Sequence, residues 1–234
     1  MNSLLLFSLL QINVVDKVAD ATEKSNQVTL SFFDLAVKGG WVMIPILILA
    51  IIAVYIFFER YYAIKKAATE ERNFMNQIKD YIHDGKTDAA ISLCQSTNSP
   101  LSRMIEKGIR RIGRPLNDIN AAIENVGNLE ISKLEKGLPT MATVSGGAPM
   151  IGFLGTVMGM IQAFYRMANA GNNIDVSQLS GGIYQAMVTT VAGLIVGIIA
   201  YFAYNILVAK VDNVVSLLEA RTTEFMDLLN EPVI

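Results

Sequence analysis

Two long apolar stretches, Thr140–Ala168 and Gln178–Ala209, carry hydroxyls, carboxamides and glycines but not one Asp, Glu, Lys or His. Arg166, near the end of the first, and Asp175, in the connection, are the only charges in this region. Stretches this long and this apolar predict membrane-crossing helices, since a helix satisfies its own backbone in hydrocarbon. Their polar side chains must then turn toward a partner helix or a pore, because lipid offers them no partner. Such a seam can line an ion or proton path, yet it contains nothing that takes up a proton. The titrating group has to come from another chain.

Composition points the same way. Of 234 residues 52% are hydrophobic and 17% charged, against roughly 25% charged in soluble domains, and the mean hydropathy is +0.40. A net charge of −2 and the lack of a long basic run give no footprint for nucleic acid. One cysteine, Cys94, and one histidine, His83, leave no internal disulfide and no Cys- or His-based metal cluster. Cys94 is expected to be buried and neutral, and His83 solvated on a helix. No nucleophile–base pair, phosphate loop or cofactor motif occurs, so neither an enzyme nor a cofactor is expected.

The uncharged run Trp41–Phe58 predicts a first transmembrane helix over 41–60, with Trp41, Tyr55, Tyr61 and Tyr62 as interfacial aromatics. The second and third spans are placed at 139–168 and 178–209, joined by a short external loop, 169–177. Pro139 and Pro149 are candidate bends in the second. Thirteen of the nineteen basic residues fall between Glu59 and Leu138. The positive-inside rule then makes 61–138 cytoplasmic, the N-terminus external and 210–234 a cytoplasmic C-terminal helix. The fold class is all-α, three transmembrane helices with the second and third extended into a cytoplasmic helical bundle. Segment 1–40 is expected to form an external amphipathic helix on the membrane. Leu4–Leu10 and Ala19-Asp20-Ala21 resemble parts of a signal peptide, but no Lys or Arg precedes Lys17.

Within 61–138, Phe74, Ile78, Tyr81 and Ile82 mark a helix ending near Gly85, and Thr87–Gln95 a second. Ser96–Pro100 reads as a break. Met104, Ile105, Ile109 and Ile112 mark a third helix, stopped by Gly113 and Pro115. A fourth, capped by Asn117 or Asp118, carries Ile119, Ile123, Val126, Leu129 and Leu134. After the third span a stripe from Val211 to Leu229 continues the helix to Asn230. Glu59 and Arg60 read as interface anchors. The cluster Arg110, Arg111 and Arg114 suits either anionic lipid headgroups or a partner's cytoplasmic tail.

Small residues recur three or four apart in both later spans: Gly152, Gly155 and Gly159 in one, Gly193 and Gly197 in the other. They let helix backbones approach closely. A lone membrane threonine bonds its own carbonyl four residues back. Thr156, Gln185, Thr189 and Thr190 at similar depth instead favour a shared pore lining, although Thr189 and Thr190 lie about 100° apart on their helix.

The ordered motifs APMIGFLGTVMGMIQAF (Ala148–Phe164) and GGIYQAMVTTVAGLIVGIIAYFAYN (Gly181–Asn205) resemble the MotA/TolQ/ExbB proton-channel family, and within it the ExbB-like members. GGWVMIPI and FERYYAI, flanking the first span, fit as well. The resemblance implies an oligomeric ring around a central pore, typically a pentamer, in the bacterial inner membrane. It also implies an ExbD-like single-span partner with an intramembrane Asp, and a TonB-like protein energised for outer-membrane transport. Thr156 and Thr190 take the places of the family's pore threonines. Many relatives have glutamate where this chain has Gln185, which leaves a hydrogen-bonding role but no proton uptake there. A TolQ-like role in envelope maintenance, a purely structural scaffold for the partner and a channel acting alone are the competing readings.

Overall fold

The computed structural model describes residues 39–68, 73–169 and 176–230. The expected N-terminal amphipathic helix, residues 170–175 of the expected 169–177 loop and the last four residues lie outside these.

The described residues form seven helices: α1 (Met43–Ala68), α2 (Phe74–His83), α3 (Thr87–Thr97), α4 (Pro100–Ile109), α5 (Leu116–Glu135), α6 (Leu138–Asn169) and α7 (Val176–Asn230). Three stretches of helix are long and apolar enough to cross a membrane, in α1, α6 and α7. On α1, Ile44, Leu47, Ile48, Ile51, Val54 and Phe58 are each more than half exposed. A water-soluble domain rarely leaves so continuous an apolar face uncovered, whereas lipid accepts it.

The helix that carries the first apolar run continues past residue 60. Tyr61–Ala68 contains no breaker, Ile64 is buried against the neighbouring helices, and α1 runs on two turns. Nor does the backbone break at 209/210: α7 is one helix of 55 residues, about 82 Å long at 1.5 Å per residue. Pro139 sits in the first turn of α6, where its missing donor costs nothing, while Pro149 lies inside the helix.

Helices α2–α5 gather around the last part of α7. Their core holds Phe74, Ile78, Cys94, Ile105 and Ile123, with Leu207, Val211, Val214, Leu218 and Phe225 from α7. Cys94 is a buried free thiol, which burial pushes up to about 12. His83 is exposed.

Several local expectations are corrected. The break at Ser96–Pro100 is only two residues wide: α3 ends at Thr97, Asn98 turns left-handed (φ 45°), and Ser99 caps α4 in a reciprocal box with Ser102. Helix α4 ends at Ile109, so Ile112 lies in the following turn and is exposed. Helix α5 begins at Leu116 behind Pro115, with no side-chain cap, so neither Asn117 nor Asp118 caps it. Leu129, placed on its apolar stripe, is 56% exposed, and Glu130 is buried beside it. Glu130 is held by Arg103 at 2.6 Å and Lys133 at 2.7 Å. Burial pushes its carboxyl up, but these two cations outweigh that and leave it below the usual range.

Candidate functional site

Helices α6 and α7 form an antiparallel hairpin whose register follows from where small residues fall. Gly152 meets Gly193, Gly159 meets Ala186, and Gly182 meets Ala163. A methyl group at Gly193 would lie 2.5 Å from the Ala148 carbonyl oxygen and 2.9 Å from Gly152 Cα. One at Gly152 would lie 2.9 Å from the Thr189 carbonyl oxygen. Backbone thus rests on backbone, the packing that small-xxx-small spacing permits in lipid. Gly197 accommodates the ring of Pro149 and the Ser145 carbonyl, which that proline leaves without its helical donor.

This close approach brings Thr156 and Thr190 together. Their hydroxyls contact one another directly. Each also reaches across the seam: Thr156 Oγ1 donates to the Ala186 carbonyl (3.2 Å), and Thr190 Oγ1 to the Gly152 carbonyl (3.2 Å). Gly152 and Ala186 stand four residues before Thr156 and Thr190 respectively, so each threonine takes the carbonyl its opposite number would ordinarily use. The own-helix alternative is the longer one for Thr156, at 3.4 Å. Both side chains remain half-buried, so one side of the pair is open.

Thr189 is placed differently. It is 1% exposed, packs on Gly155, and donates to its own-helix Ala186 carbonyl at 2.8 Å. Its hydroxyl is spent inside the seam, as the 100° offset from Thr190 requires. Gln185 joins neither threonine within this chain. Its Nε2 donates to the Gly39 carbonyl at 3.4 Å, tying α7 to the turn that leads into α1. Gly40 has φ +70°, and any side chain there would collide with the Gln185 carboxamide. The pair Gly39-Gly40 was the visible signal for this contact, but its partner lies 146 residues away.

Of the basic cluster, Arg110 is held by Glu106 at 2.8 Å, a carboxyl that also accepts from Gln95. Arg111 and Arg114 carry no ion pair among the described residues. Gly108, just before the cluster, packs on Phe225, about 24 Å along α7 from Ala209. Arg60 pairs with Glu59 and donates to the Lys133 carbonyl at 3.0 Å, joining α1 to α5. Lys210 lies 4.9 Å over the Tyr61 ring, a cation–π contact between α7 and α1.

Residues 96–220, more than half of the chain, match the family described as the MotA/TolQ/ExbB proton channel family. An ExbB-like biopolymer transport protein of Synechocystis sp. is 26% identical over 183 residues, 77% of this chain and 72% of that protein. A biopolymer transport ExbB homologue of Methanothermobacter thermautotrophicus is 32% identical over 135 residues, 58% of this chain and 47% of that protein. The Tol-Pal system protein TolQ of Haemophilus influenzae is 28% identical over 208 residues, 78% of this chain and 86% of that protein.

Proposed function

We propose that this chain, which belongs to the MotA/TolQ/ExbB proton channel family, is the ring-forming stator subunit of a proton-driven motor in a bacterial inner membrane. Segment 61–138 and the end of α7 are cytoplasmic in this reading, and five copies surround a central pore. An ExbD-like single-span helix occupies that pore and brings the Asp that titrates, and the motor energises a TonB-like protein for transport across the outer membrane. The observation that carries the reading is the crossed Thr156–Thr190 pair, set in two spans whose apolar stretches contain no carboxylate. A neutral hydroxyl ring tolerates a partner carboxylate better at some angles than at others. Each protonation change alters the preferred angle, and a membrane potential supplies about 2.3 kcal/mol per charge per 100 mV to drive it.

Thr156 and Thr190 would line the path, while Thr189 and the glycines hold the wall that presents them. Gln185 supports the wall from behind in this chain, by fixing the start of α1. The distance of Arg111 and Arg114 from the spans favours the partner's cytoplasmic tail over lipid headgroups as their contact. The length of the TolQ match supports the alternative, a TolQ-like role in envelope maintenance in place of the TonB-linked one.

Proton flux into vesicles tests the proposal. Flux should require both this chain and its acidic single-span partner, and replacing the partner's Asp by Asn should abolish it. Equal flux from this chain alone would overturn the stator reading in favour of a self-sufficient channel. No flux with both present would leave only a scaffold.

A further inference from the structure

At the end of α1 that faces the α2–α5 bundle, a cavity of about 650 Å³ opens between α1, the α3–α4 turn and α5. Three cations line it: Lys66 of α1, Arg103 of α4 and Lys133 of α5. Among the described residues a single carboxylate, Glu130, stands with them and is shared by Arg103 and Lys133. Lys66 is exposed and has no ion-pair partner among the described residues. Arg103 spends its terminal nitrogens on Glu130 and Asn98 but keeps a buried Nε–H with no acceptor. A buried donor without an acceptor is costly in a folded protein. Among the described residues the pocket therefore holds an excess of positive charge and a hydrogen bond waiting for an anionic oxygen.

We propose that this pocket binds the phosphate of an anionic phospholipid in the leaflet adjoining the bundle. The shared chemistry is a phosphate anion, and the pocket's position and walls select the lipid over the free ion. Ala63 and Ala67, on the α1 wall, lie five and nine residues past Phe58, the last residue of the uncharged run. That is about 7 and 13 Å along the helix, the depth of headgroups beside a hydrocarbon core of roughly 30 Å. Pro100 and Leu134 add further apolar wall, suited to glycerol and the first acyl carbons rather than to a bare ion. The cavity is also far larger than a phosphate needs. The site involves neither the threonine pair nor ion flow, so it stands or falls apart from the motor.

The test uses the full chain in nanodiscs of phosphatidylcholine with and without phosphatidylglycerol, counting retained lipids by native mass spectrometry. The wild type should retain phosphatidylglycerol selectively, and Lys66→Gln should lower that retention about fivefold, the factor equivalent to ~1 kcal/mol per basic side chain near the surface. Lys66→Glu should lower it further, with an unchanged helical circular dichroism spectrum. Arg114→Glu, the same charge change at the distant turn, should leave retention as in the wild type. Equal retention by Lys66→Glu and wild type, or equal loss in Lys66→Glu and Arg114→Glu, would overturn the proposal. So would inorganic phosphate in pure phosphatidylcholine discs raising the melting temperature as much as phosphatidylglycerol does.

Discussion

Helix α7 packs in two different ways along one continuous rod. Toward its start it meets α6 through Gly182, Ala186, Thr189, Gly193 and Gly197, with backbone against backbone. Past Ala200 it meets the bundle through Leu207, Val211, Val214, Leu218 and Phe225, all buried to 2% exposure or less. The chemistry of the surroundings explains the change. Water drives large apolar side chains together in the bundle. Lipid supplies no such drive, so the hairpin gains by bringing atoms close and by pairing hydroxyls across the seam. The bundle is therefore vulnerable to lost volume, and the hairpin to added volume.

The largest expected effect is on the bundle. Phe225 is fully buried, so Phe225→Ala should destabilise it by about 4 kcal/mol, read as denaturant unfolding followed by far-ultraviolet circular dichroism. An equal loss in α6–α7 pairing would mean the two regions are not separable. Next comes Gly193→Ala, whose added methyl would strike the Ala148 carbonyl and the Gly152 backbone. It should cost about 2 to 3 kcal/mol of hairpin stability, measured by unfolding in detergent micelles. Gly108→Ala provides the sharper contrast. Its methyl meets side chains rather than backbone: Phe225 Cε1 at 2.7 Å, Ile123 Cδ1 at 2.8 Å and Ile123 Cγ1 at 3.1 Å. Side chains adjust by rotation where a helix backbone does not, so the cost should be below that of Gly193→Ala, and the reverse order would refute the distinction.

Smaller in stability but larger in function, Thr156→Val and Thr190→Val should each cost about 0.6 kcal/mol. Each should still leave the ring assembled on size-exclusion chromatography and sharply reduce partner-dependent proton flux. Full flux in both variants would mean these hydroxyls serve packing alone. Acid sensitivity should belong to the bundle. Glu130 titrates below the usual glutamate range in the fold because its two cations outweigh burial. Its contribution is thus complete above the ordinary glutamate value and fades as pH falls through the lowered one. Glu130→Gln should flatten the acid limb of a melting-temperature profile and leave the hairpin's response unchanged. The smallest effect is chemical: Cys94, pushed up to about 12 by burial, should resist alkylation at neutral pH until the bundle unfolds.

Sequence and structure agree where periodicity alone decides. The apolar runs Met43–Phe58 and Ala148–Phe164, and the stripe from Val211 to Leu229, all lie on helices. The small-residue spacing in the second and third spans also pointed to close approach, which the structure has; of the four residues expected at similar depth, Thr156, Gln185, Thr189 and Thr190, only the Thr156 and Thr190 hydroxyls meet. Periodicity says which face of a helix is apolar but not what covers it. Leu129 is exposed and Glu130 buried because Arg103, 27 residues earlier, reaches the carboxylate. Gln185 presents the same difficulty: its carboxamide nitrogen donates to the Gly39 carbonyl, and no local pattern records a partner that distant. Ser99 and Ser102, by contrast, form a local cap that their spacing allowed but that lacks the usual acidic residue at the third position.

The unbroken length of α7 has a mechanical consequence. With no proline and no break in the helix between Val176 and Asn230, a movement at one end has no joint in which to be absorbed. Tilting such a shaft by about 5° carries its far tip about 7 Å. A jostle felt beside Thr190 is delivered, enlarged, to the ground around Phe225 and the arginine-bearing turn next to it.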